Sequence, residues 1–166
     1  PVHSLCLLTA NAAGLKMKVQ SLKSELKYLQ CGIFTLQETH FKKKGKLVID
    51  DWEIFESIRN KASGGTMIGV HKALQPVLVE EYNDDFELLI VETNIKGREV
   101  RIISGYGPQE SWSLEDRLPF FQALEEEVAK TLFAGKSIII SLDANSKLGS
   151  ELIPNDKHNQ SQNGKI

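Results

Sequence analysis

The stretch FELLIVETNIKGREVRIISGY, residues 86–106, constrains the fold most. Two apolar runs flank Lys96-Gly97, a dipeptide suited to a tight turn, and the pattern predicts an antiparallel hairpin. Further runs read as strands at 3–11, 32–38, 52–58, 65–71, 74–81 and 137–143, with HSLCLLTAN, CGIFTLQ and SIIISLD apolar enough to be buried. Ala62-Ser63-Gly64-Gly65, Asn83-Asp84-Asp85 and Lys96-Gly97 punctuate them. Two segments have helical spacing. Over 16–30, Val19, Leu22, Leu26 and Leu29 fall on one face; over 114–133, Leu118, Phe121, Leu124, Val128 and Leu132 form a stripe. Ser113 and Asp116 suit a capping pair at the second helix, although Pro119 blurs its start. Strand, helix and strand at the beginning suggest a βαβ unit. The whole order fits an α+β domain with layered mixed sheets better than a doubly wound one. Residues 144–166 read as loop, which is an unusual way for a compact domain to finish.

Composition sets limits. The 166 residues suit a single domain over 1–166. With 41% hydrophobic and 25% charged residues, the chain reads as soluble and globular. No apolar run approaches the ~20 residues of a membrane-spanning helix, and no signal peptide is legible, so no membrane partner is expected. Cys6 and Cys31 lie in apolar runs and form no CxxC, and the four histidines show no zinc spacing. Reduced core cysteines in a nuclear or cytoplasmic setting follow as the expectation. A formal charge of −2 predicts no broad basic face and weighs against nucleic acid as a partner. The chain starts at Pro1 rather than Met, which suggests a piece of something longer.

Several strands end at their carboxyl side in a polar group: Asn11, Glu38, Tyr106, and Asp143 with Asn145. Ligand clefts in open sheets gather at such ends. Each residue also has a plainer reading. Asn11 could close a turn before Gly14, Glu38 could pair with the lysines that follow, Tyr106 could pack a corner, and Asp143-Ala144-Asn145 could be an Asx turn. Their repetition favours a site. A carboxylate with an amide oxygen is a sparse oxygen set of the kind that holds Mg²⁺. Asp143 could orient or deprotonate a water, and Asn145 and Tyr106 could bond phosphoryl oxygens. Such a group performs phosphodiester hydrolysis. FKKKGK brings Lys42, Lys43, Lys44 and Lys46 directly after Glu38, either as a solvated loop or as a contact for a phosphate backbone. Trp52 and Trp112 read as packing residues rather than DNA wedges.

The motifs TANAAG (9–14), LQETH (36–40), GGTMIGV (64–70), GYGPQ (105–109) and SLDANSKLG (141–149) occur in this order. In that order they resemble the endonuclease/exonuclease/phosphatase superfamily, and within it the endonuclease domains of non-LTR (LINE-type) retrotransposons, which are similar to apurinic/apyrimidinic endonucleases. The resemblance implies a four-layer DNase-like α/β sandwich, two mixed sheets with helices outside. It implies Mg²⁺ as cofactor, with Mn²⁺ as a substitute. Glu38 would be the metal ligand, with Asn11 beside it. Tyr106, Asp143 and Asn145 would be catalytic, contacting the phosphate, positioning the water and stabilising the phosphate in turn. Gln109, Lys42, Lys43 and Lys44 would bind substrate. The implied activity is nicking of double-stranded DNA to leave a 3′ hydroxyl that primes reverse transcription, with a reverse transcriptase domain on the same polyprotein.

The sequence departs from the family pattern. Ala10 stands in place of Trp, Gln109 in place of Asn, and Leu142 in place of Gly. The family's terminal Ser-Asp-His motif is not found, and His158 stands in the wrong place for it. The resemblance therefore covers about two-thirds of the family domain, without its C-terminal strands. It implies a fragment with little or no activity of its own and an unpaired sheet edge prone to association. Two other classes remain: a non-catalytic relic or DNA-binding remnant, and a phosphodiesterase acting on a small phosphate or lipid.

Overall fold

The structure, a computed structural model, describes residues 6–58, 64–83 and 86–145. Eight strands and two helices follow one another as β1 (Leu7–Asn11), α1 (Val19–Tyr28), β2 (Ile33–Gln37), β3 (Trp52–Ser57), β4 (Thr66–His71), β5 (Val77–Tyr82), β6 (Glu87–Ile95), β7 (Arg98–Tyr106), α2 (Leu114–Phe133) and β8 (Ser137–Asp143). They form two four-stranded sheets, ordered β1-β2-β4-β3 and β5-β6-β7-β8. β1 and β2 are parallel, as are β7 and β8, while the other pairs are antiparallel. Each parallel pair is joined through a helix, as a parallel crossover requires. The expected hairpin is β6–β7. Ile95 faces Arg98 in the register, and Lys96 (φ 52°) and Gly97 (φ 83°) are both left-handed, as a two-residue turn demands.

Alternation along the strands separates three cores. Leu22 and Leu26 of α1 pack with Phe34, Leu36 and Met67 on the outer face of the first sheet. Ile33, Ile68, Val70, Leu89, Val91, Val100 and Ile102 meet between the sheets. Leu88, Ile90 and Ile103 face Phe120 on the outer side of the second sheet. Four layers result: helix, sheet, sheet, helix, as the α/β sandwich expectation requires. Each buried aliphatic side chain of the middle layer contributes roughly 1.5–3 kcal/mol, so apolar burial is what docks the sheets. Trp52 joins the first core with its ring 5.2 Å from that of Phe34, in agreement with a packing role.

The burial of the two terminal strands differs from expectation. β1 and β8 are largely exposed or half-buried, with Leu7 37% and Ile140 44% exposed. Both are edge strands, and among the described residues nothing pairs on their outer sides. An apolar composition cannot distinguish a central strand from an edge strand.

The expected stripe on α2 is half right: Phe121, Leu124 and Val128 pack against the outer core of the second sheet, but the two ends of the stripe do not. Ser113 caps the helix as expected, accepting from Asp116 N at 3.2 Å. Arg117, Phe120, Glu127 and Thr131 are buried, whereas Leu118 and Leu132 are exposed. The sheet beneath explains this. Arg101 on the outer face of β7 pairs with Glu92 at 2.6 Å and with Glu127 at 3.2 Å, so a polar sheet residue places Glu127 within an otherwise apolar contact. Cys6 and Cys31 are free thiols with sulfurs 2.9 Å apart. Among the described residues no helix is long and apolar enough to cross a membrane. The loop expected over 144–166, and His158, lie outside the described residues beyond Asn145.

Candidate active site

The inner faces of β2, β7 and the edge strand β8 grade from apolar to polar toward one end of the sandwich. It runs Ile33, Thr35, Gln37 on β2, then Ile102, Ser104, Tyr106 on β7, and Ile139, Ser141, Asp143 on β8. Where the apolar layer stops, hydroxyls and one amide stitch the sheets together. Ser141 Oγ lies 2.6 Å from Thr9 Oγ1 and accepts from Thr35 Oγ1 at 2.7 Å. Gln37 Nε2 donates to Ser141 Oγ at 3.2 Å and to Ser104 Oγ at 3.1 Å, and Ser104 Oγ meets Thr66 Oγ1 at 2.7 Å. Buried polar groups satisfied in this way fix orientation, which apolar contact alone does not.

The candidate residues lie just beyond this strip. Asn11 aligns with Gln37 at the carboxyl end of one parallel pair, and Tyr106 with Asp143 at the end of the other. Asn11 Nδ2 donates to Asp143 Oδ2 at 2.7 Å, bridging the sheets. Tyr106 donates its phenol to Glu38 Oε1 at 3.1 Å, a second bridge. Asn145 is held from both ends, its backbone N–H on Asp143 Oδ1 at 3.2 Å and its side-chain amide on Gly107 O at 2.7 Å. Tyr106 is only 8% exposed. Burial pushes its phenol upward; an Asn145 hydrogen bond works against this, and the Glu38 carboxylate reinforces it. The phenol is thus a proton donor at neutral pH.

The corner carrying Glu38 is built from special backbone. Glu38 (φ 53°) and His40 (φ 55°) are both left-handed. Gly14 N and Leu15 N bond Glu38 O and Thr39 O at 2.9 and 3.0 Å, while Thr39 N and His40 N bond Gly65 O and Gly64 O, both at 3.0 Å. Gly64 and Gly65 have φ of 101° and 90°, and a β-carbon on Gly65 would meet Thr39 Oγ1 at 2.4 Å. The Gly-Gly pair is therefore what lets the chain pass beneath the corner.

The structure thus brings Asn11, Glu38, Tyr106, Asp143 and Asn145 together. The plainer readings partly coexist with the site: Asn11 Oδ1 accepts from Ala13 N at 2.9 Å, and Asp143-Ala144-Asn145 is an Asx turn. Glu38 bonds Tyr106, with His40 Nε2 3.8 Å from its other oxygen, rather than the lysines. The remaining candidates separate. Lys42 and Lys43 line a cavity beside the corner. Lys44 turns away to pair with Glu81 at 2.6 Å. Gln109 is exposed, its carbonyl accepting from Trp112 N at 3.0 Å, and its side chain joins none of the bonds above. Sequence reasoning missed Gln37, Ser104 and Ser141, whose only signal was small polar residues recurring at every second strand position. It also passed over His40, although that residue closes the LQETH motif.

Glu38, Asn11 and Asp143 offer hard oxygens only. Among the described residues no group of three or more His, Cys, Asp and Glu could close around a metal. A sparse oxygen set suits a hard cation that completes its shell with water and phosphate.

Two mixed sheets with outer helices, and polar groups converging where the sheets end, give this chain the DNase-like α/β-sandwich fold of the solved structures it matches. Among solved structures, the chain matches the endonuclease domain of TRAS1, a telomere-specific non-LTR retrotransposon, with TM-score 0.66 and 18% identity over 98% of this chain and 67% of that one. It matches D. rerio TDP2, complexed with single-strand DNA product, with TM-score 0.64 and 16% identity over 90% of this chain and 64% of that one. A third match is the 3′ phosphatase NExo from Neisseria bound to a product DNA hairpin, with TM-score 0.65 and 18% identity over 86% and 58% of the two chains. By sequence, no family model and no curated protein matches.

Proposed function

We propose that the chain carries the metal-binding and phosphate-binding part of a Mg²⁺-dependent DNA endonuclease, of the kind that nicks double-stranded target DNA for a retrotransposon. One observation carries this: Asn11 and Glu38 from one sheet meet Tyr106, Asp143 and Asn145 from the other, joined by Asn11–Asp143 and Tyr106–Glu38 hydrogen bonds. The DNA-processing neighbours support the substrate class. Their retrotransposon member supports the narrower reading and, with it, a reverse transcriptase domain on the same polyprotein.

Glu38 holds the cation, with the Asn11 amide oxygen beside it. Mn²⁺ substitutes for Mg²⁺ at such an oxygen set. Bound there, the ion supplies charge neutralisation at phosphoryl and leaving oxygens. Asp143 accepts a proton from, and orients, the attacking water; Asn11 and the Asn145 backbone fix that carboxylate. The Asn145 amide, anchored on Gly107 O, donates to the phosphate as charge develops, and the Tyr106 phenol is a second donor. The family resemblance also assigns proton handling to a Ser-Asp-His histidine, a triplet these 166 residues do not contain. Turnover by this chain alone is accordingly slow or nil, and the test reads the metal instead. Mn²⁺ binding, followed by electron paramagnetic resonance, weakens at least tenfold in Glu38→Ala, and Mg²⁺ tightens DNA binding in the wild type only. Equal Mn²⁺ affinity in both proteins would sink the proposal and leave the relic.

A further inference from the structure

A cavity of about 520 Å³ opens beside the Glu38 corner. Its volume lies within the roughly 300–1,000 Å³ of small-ligand sites. Val19 of α1 and Phe41 form its apolar part, and both are backed by the first core. Lys16, Lys42, Lys43 and Lys46 supply four cations, and among the described residues no carboxylate lines it. His40 is the shared wall, because the same side chain stands 3.8 Å from Glu38 Oε2.

The loop that carries these lysines is held in place. Gly45 N donates to Glu56 Oε2 at 2.5 Å, Lys44 pairs with Glu81, and Leu47 is 3% exposed in the core. The backbone that presents Lys42, Lys43 and Lys46 is therefore anchored on both sides of Gly45, and only the side chains remain to be ordered by a ligand.

The geometry points to a nucleoside-monophosphate site: one unpaired nucleotide of a DNA strand, its base against Phe41 and Val19 and its phosphate among Lys16, Lys42, Lys43 and Lys46. An aromatic face beside a cationic groove is the arrangement by which proteins hold single-stranded nucleic acid. A simple anion would use the lysines and leave the apolar floor idle. An apolar ligand would leave four cations facing it. A nucleotide uses both. The inference rests on the DNA reading above for why a strand would lie here, and it gives Lys42 and Lys43 a shared target while leaving out Lys44.

The test is fluorescence anisotropy of a labelled ten-nucleotide single strand with the full chain in EDTA, titrated with salt. No divalent cation is present, so failure of the Glu38 reading and failure of this one are distinguishable. The triple variant Lys42→Ala/Lys43→Ala/Lys46→Ala changes only exposed residues. Its slope of log affinity against log salt falls by about 2, at about 0.7 per lysine on single strands. Phe41→Leu keeps an apolar side chain but removes the aromatic face; with folding checked by circular dichroism, it weakens the single strand about 5- to 160-fold while sparing duplex. Competition with dAMP separates two sources of the same chemistry: displacement identifies a free nucleotide as ligand, and its absence a nucleotide within a strand. An unchanged salt slope in the triple variant would overturn the site. An unchanged single-strand affinity in Phe41→Leu would overturn the base contact.

Discussion

The Glu38 corner allows its backbone and its chemistry to be tested on one residue. At an ordinary position glycine is less stable than alanine by roughly 0.5–1 kcal/mol, because it loses more freedom on folding. Glu38 is left-handed at φ 53°, where a β-carbon costs about 1–2 kcal/mol. The usual order therefore inverts: Glu38→Gly is more stable than Glu38→Ala by about 1 kcal/mol. Both variants take the acceptor from the Tyr106 phenol, so that loss cancels between them. With a urea slope of about 2 kcal/mol per molar, the two midpoints differ by about 0.5 M. Equilibrium urea unfolding followed by circular dichroism reads this directly. On the metal role proposed for Glu38, both variants should also bind Mn²⁺ more weakly than the wild type, so stability and metal binding part company. An alanine variant as stable as the glycine variant, or more so, would refute the left-handed corner and the hydrogen bonds argued from it.

Two further perturbations probe packing and titration. A β-carbon on Gly69 would lie 2.1 Å from Cε1 of Phe34, a fully buried ring, so Gly69→Ala overpacks the first core by about 1–3 kcal/mol; differential scanning calorimetry should show Tm falling by several degrees, and an unchanged Tm would contradict the close approach. Burial, and then the Cys6 thiol beside it, push Cys31 up from 9.0 to about 12, so above pH 9 the folded chain keeps a proton that the unfolded chain releases. Stability should therefore fall as pH rises from about 9 toward about 12, and the fall should be shallower in Cys31→Ala by urea titration between pH 8 and 10.5; matching slopes in the two proteins would count against it.

Where periodicity and turn chemistry acted alone, the sequence was legible. The Lys96-Gly97 hairpin, the Ser113 cap and the full extent of α2 follow from local rules. The five strand-end groups converge because a repeated sequence pattern reflected a repeated topology, a parallel pair at one end of each sheet. What sequence could not supply was relational. Edge exposure of β1 and β8 depends on which strands stand beside them. Burial of Glu127 on α2 depends on its pairing with Arg101 of β7, a partner that no helical stripe reveals. Lys42, Lys43 and Lys44 look alike in FKKKGK, and only the position of Glu81 on β5 separates the third from the first two.

The two sheets are drawn from consecutive stretches of chain, residues 7–71 and 77–143, and no strand crosses from one half to the other. Every strand pairing thus closes within its own half, while the bond from Asn11 to Asp143 spans 132 residues. Local pairings form at lower entropic cost than distant ones, so the halves can gain order before they dock. Glu38 and Asn11 belong to the half synthesised first, and Asp143 arrives at the end of the second. Neither half alone then brings the groups of the two sheets together. Asn11 and Glu38 meet Tyr106, Asp143 and Asn145 only in the event that closes the sandwich, which makes the Asn11–Asp143 and Tyr106–Glu38 bonds direct reporters of docking between the halves.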